Sequence, residues 1–110
     1  MAKQTIEQIK KRLIDDTSIP EEKRSELIAL LDKLEAEVAS LENTHKEDAG
    51  SIAMFAASSA HEAMRKVKNK KLLDLSIEGL KTSVQKFENS HPKLVQVVNA
   101  ISTTLSNLGI

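Results

Sequence analysis

The chain has no cysteine, tryptophan or tyrosine, and Phe55 and Phe87 are its only phenylalanines. Without Cys there are no disulfides, thiolate metal sites or Cys nucleophiles, which fits a reducing compartment. With three glycines and two prolines there is no glycine-rich phosphate loop, and little means of bringing backbone close to a nucleotide. The longest uninterrupted apolar run, Ile52 to Ala57, falls well short of the ~20 residues that a bilayer span needs. Met1 to Glu7 contain no apolar stretch of the kind that marks a secretory signal. These absences point to a soluble, cytoplasmic protein with no membrane span.

What is present is helical periodicity. Leu27-Leu31-Leu34-Val38-Leu41, Leu73-Ile77-Leu80-Val84-Phe87 and Leu94-Val98-Ile101-Leu105-Leu108 share one spacing. Steps of four and three keep a stripe on one helix face at the period of a knobs-into-holes seam, whereas a strand would alternate every second residue. The expected fold is therefore all-α, an antiparallel bundle of four to five helices with coiled-coil-like seams. At 110 residues the chain is a single domain, 1–110. Its net charge of zero hides an asymmetry: residues 1–50 carry an excess of acids and residues 51–110 an excess of bases. Such halves attract within one chain or across a dimer.

The spacing predicts a first helix over Ile6–Asp15, opened by a Thr5/Gln8 capping box, and a break at Asp16-Thr17-Ser18. A second helix follows over Ile19–Asn43, with Ser18 and Glu21 as its capping box and Pro20 in its first turn. Extending that seam puts His45 and Asp48 at core positions, so packing weakens there. Asp48-Ala49-Gly50-Ser51 reads as a loop ending at an N-cap serine. An alanine-rich third helix covers Ile52–Val67. Five cations in seven residues and Asn69 argue for a break near Asn69, although one continuous helix over residues 52–88 stays open. The fourth helix covers Leu72–Glu88, tolerating Gly79. Asn89-Ser90-His91-Pro92 is a stop-and-restart signal, and a last helix reaches Leu108 with Gly109 as its punctuation. Short loops make helices one and two, and four and five, antiparallel hairpins. Beyond the shared heptad spacing, this reading yields no internal repeat.

Phe87-Glu88-Asn89-Ser90-His91-Pro92, then Leu94, and the ending Leu105-Ser106-Asn107-Leu108-Gly109-Ile110 resemble a family of small bacterial helical proteins. That family is classed only as a domain of unknown function. The entry Ser18-Ile19-Pro20-Glu21-Glu22 into helix two is similar as well. The resemblance covers half to two thirds of the chain and implies that Ile52–Lys68 is an elaboration. It implies a small α-helical bacterial protein and brings no activity, cofactor or catalytic residue.

Chemistry-bearing residues are sparse. His61-Glu62 opens like the zinc motif His-Glu-x-x-His, but Arg65 stands where the second His belongs. Glu42/His45 and Glu88/His91 have the Glu-x-x-His spacing of di-iron bundles, yet both sit where a helix ends. Ser58 and Ser59 lack nucleophile-elbow glycines. The reading is therefore no enzyme, no catalytic residue, no metal and no cofactor. A metal or small-ligand bundle involving His61 is the third-ranked alternative.

Apolar helix surface in excess of one small core points instead to protein–protein contact, as a homo-oligomer (a dimer first) or with another protein partner. The candidate contact is Ile52, Ala53, Met54, Phe55, Ala57 and Ala60. There Met54 and Phe55 stand opposite small residues that admit a partner helix closely. The alternative is an anion or nucleic-acid binding module using Arg65, Lys66, Lys68, Lys70 and Lys71. The lack of stacking aromatics and of overall basic charge counts against nucleic acid.

Overall fold

The structure, a computed structural model, describes residues 2–108. The elements are α1 (Ala2–Asp15), α2 (Glu21–Leu41), α3 (Lys46–Ala63), α4 (Lys70–Val84), a single 3₁₀ turn over Gln85–Phe87, and α5 (Pro92–Leu108). Among the described residues there is no strand. The expected all-α bundle is what forms. Its seams are its core: every seam residue named above is buried except Leu108, which is half-buried. Ile6, Ile9 and Leu13 bury the inner stripe of α1.

Pairs of residues fix the chain directions. Asp48 meets Lys86, and Phe55 lies over Gly79, so α3 and α4 are antiparallel. Glu26 accepts from the Thr104 hydroxyl, which sets α2 against α5 in the same sense. Ala2 and Thr5 share a crevice with Lys46 and Gly50, while Arg12 reaches His61, so α1 and α3 run parallel. Around the bundle the order is α1, α3, α4, α5, α2, and α3 touches all four other helices. It is the hub.

That position accounts for the alanines. Ala53, Ala56, Ala60 and Ala63 are buried. Ala53, Ala57 and Ala60 fall on the strip of α3 between its two contact points with α1. Small side chains there let helices approach towards the lower end of the ~8–10 Å interaxial range.

Several expected boundaries move. α1 begins at Ala2, so Thr5 lies inside the helix and not at its cap. α2 begins at Glu21 with Pro20 as N-cap and no side-chain cap bond. Ser18 gives its N–H and its hydroxyl to the Asp16 carboxylate instead, which closes the preceding turn. α3 begins at Lys46, which places Asp48 to Ser51 within a helix and removes the predicted loop and serine cap. Glu47 and Asp48 suit the positive end of that helix, and the buried Ala49 anchors its first turn. α3 also stops at Ala63, short of Val67. Asn69 starts α4 and does not end α3: its side chain accepts the Leu72 N–H at 3.1 Å. The predicted stop at residues 88–91 is present. The Gly109 terminator lies outside the described residues.

Candidate functional site

The six predicted contact residues of α3 do not share one surface. Ile52, Ala53 and Ala60 are buried against the chain's own helices and are closed to a partner. Ala57 is half-buried, whereas Met54 (63%) and Phe55 (37%) are exposed. The Phe55 ring lies on Gly79, at a position where any β-carbon would collide with it. This contact explains the glycine inside α4: it seats an aromatic ring at the outer edge of the α3–α4 interface. Leu75 (60%) and Leu72 (41%), one and two turns away from Gly79 on α4, are exposed too. Sequence reasoning missed both leucines because they stand off the 4-3-4-3 seam.

The basic cluster is dispersed by its own connection. Arg65 pairs with Glu62 at 3.0 Å and Lys70 with Asp74 at 3.0 Å. The Lys68 ammonium donates to the Ala63 carbonyl and so caps the end of α3. Lys66 and Lys71 remain exposed around Val67, which is 77% exposed. Beside them Ser18, Ile19, Pro20, Met64 and Leu108 line a shallow groove of about 400 Å³ with Arg65, Lys66 and Lys68 on its rim. The hydrogen bonds from the Ser18 hydroxyl and N–H hold the Asp16 carboxyl below the usual carboxylate range, and the Lys68 and Arg12 charges add to this against the cost of burial.

At the opposite end a second assembly appears. His45 follows α2 and His91 precedes α5. Their rings stand 6.5 Å apart between centroids, and each meets the edge of Phe87, at 5.2 and 5.4 Å. The two turns are copies of one another. Glu42-Asn43-Thr44-His45 matches Glu88-Asn89-Ser90-His91. The N–H of His45 bonds the Leu41 carbonyl at 2.7 Å, and that of His91 bonds Phe87 at 2.8 Å. In each, the preceding hydroxyl meets the imidazole Nδ1, Thr44 at 2.8 Å and Ser90 at 2.9 Å.

The likeness extends back along the preceding helices, where Leu27, Leu31, Leu34, Val38 and Leu41 correspond in order to Leu73, Ile77, Leu80, Val84 and Phe87. Helix α2 with its turn and helix α4 with its turn are thus alike, and the two turns meet at one end of the bundle. This corrects the reading of no internal repeat. The signal was legible: two Glu-Asn-hydroxyl-His tetrapeptides following two aligned seams.

His61 stands apart, with Nδ1 3.4 Å from Arg12. Among the described residues no group of three or more His, Asp or Glu side chains is placed to hold a metal ion. No described helix is long and apolar enough to cross a membrane.

The chain belongs to the family described as Domain of unknown function (DUF4404), whose model matches residues 2–110. That span includes Ile52–Lys68 and exceeds the half to two thirds of the chain that the motifs cover. No curated protein and no solved structure matches the chain.

Proposed function

We propose that the protein is a non-enzymatic helical module of a bacterial cytoplasm that acts through protein–protein contact, by pairing with a second copy of itself. The observation that carries this reading is that Met54, Phe55, Leu72 and Leu75, four of the six exposed large apolar side chains among the described residues, lie on the single hairpin α3–α4. Exposed apolar area concentrated in this way is characteristic of an interaction surface. A second copy is the occupant we assign, because a two-fold contact is self-complementary and sets the same apolar patch of each chain against the other.

Sedimentation equilibrium over a range of concentrations tests the reading. The wild type should approach dimer mass as concentration rises. Phe55→Ser combined with Leu75→Ser should give a monomer of unchanged helicity. A wild-type mass that stays monomeric at every concentration would reject it.

The alternative, anion or nucleic-acid binding through Arg65, Lys66, Lys68, Lys70 and Lys71, draws support from the exposed Lys66 and Lys71 alone, because the other three cations are engaged. Phosphate binding of that kind weakens steeply with salt. Little binding is expected at physiological salt. Tight, salt-sensitive binding lost on Lys66→Gln with Lys71→Gln would put this alternative first.

A further inference from the structure

We propose that His45 and His91 together form a site for one borderline divalent transition cation of the Zn²⁺ or Ni²⁺ type. The repeated turn is the starting point. Two matching tetrapeptides, closed by the same backbone bonds, bring one imidazole from each turn to the same end of the bundle.

The Nδ1 of each ring lies within hydrogen-bond distance of the preceding hydroxyl, Thr44 or Ser90. When Nδ1–H donates to that oxygen the lone pair resides on Nε2, the nitrogen left for a cation. A hydrogen bond at the second nitrogen is the usual support of a metal-binding histidine. Phe87 braces both rings by edge contacts, so the separation is held by the core and not by two free side chains.

The spacing fits a shared ion. With Zn–N bonds of about 2.1 Å, two imidazoles on one cation have centroids roughly 5 Å apart at a tetrahedral angle and roughly 6.5 Å apart when opposed. The observed separation is 6.5 Å, that of the opposed arrangement.

The surrounding charge tolerates a cation. Glu42, Glu47, Asp48 and Glu88 lie on the two turns and the helix starts beside them, against Lys46, Lys86 and Lys93. Lys86 is paired with Asp48 at 3.1 Å. Because no third side chain is in place, the two imidazoles are the whole protein ligand set of the proposed site, fewer than the three of a zinc enzyme or the four of a structural zinc centre. His61, held at Arg12, takes no part.

Titration of the full chain with Zn²⁺ at neutral pH, followed by calorimetry and by the imidazole proton resonances, tests the proposal. One ion should bind per chain, shifting the His45 and His91 signals and leaving those of His61 in place. His45→Gln and His91→Gln should each weaken binding by about tenfold or more, and His61→Gln should not. The resonance shifts need no variant, so they decide the matter even if a substitution disturbs the turn. The absence of saturable binding at millimolar Zn²⁺ would overturn the site. So would an affinity unchanged in either His45→Gln or His91→Gln, or one lost with His61→Gln.

Discussion

Leu80 is fully buried at the middle of its seam, and removing it leaves a cavity that the surrounding helices close only in part. Leu80→Ala should cost ~2–5 kcal/mol in denaturant unfolding. Serine gives the opposite sign. Ser59 and Ser102 are buried, and neither hydroxyl has a hydrogen-bond partner. A desolvated hydroxyl without a partner is a cost to the folded state. Ser59→Ala or Ser102→Ala should therefore raise stability by about 1 kcal/mol in the same assay.

Asp16 supplies a pH dependence. Its carboxyl is held low by the Ser18 bonds, so the folded state favours the charged form. That contribution is present above the unfolded pKa and is lost as pH falls through the folded one. Asp16→Asn should lower stability at neutral pH and flatten the acid limb of the stability curve.

At the scale of elements, helix type and seam positions were legible because each seam residue sits where a 3.5-residue period requires it. Helix starts were less so. Ser18, Thr5 and Ser51 have the chemistry of caps, but a cap forms only where the backbone leaves the helix, and tertiary packing decides that. Ala49 is buried in the first turn of α3 and draws the helix start upstream of Gly50. Asn69 is the case where chemistry and position coincide. Asn69→Ala should cost about 1 kcal/mol through the lost bond to the Leu72 N–H.

The alanine strip separates two accounts of α3. A small-residue face in one sequence cannot show which helix it seats, and the structure gives that place to α1. Ala53→Leu should overpack the α1–α3 contact and destabilise the folded chain by ~1–3 kcal/mol. Its sedimentation behaviour should otherwise follow the wild type. Phe55→Ser should do the reverse, changing mass more than stability.

At the scale of the molecule, the structure is a bundle about 38 Å long. Its duplicated turns are brought together at one end. The sequence hides this juxtaposition because Glu42/His45 and Glu88/His91 lie 46 residues apart, each at a helix end, and only the packing of the bundle brings them together.

Because the chain has no cysteine, spin labels placed by Asn43→Cys with Asn89→Cys report that meeting without interference. Measured by pulsed electron resonance, the two turns should lie within one or two helix diameters, roughly 10–20 Å. A control pair, Asn43→Cys with Val67→Cys, should span the bundle at about 30 Å, the length of a helix like α2. A 43–89 distance as long as the 43–67 distance would contradict the meeting of the two turns and dissolve the histidine site with it.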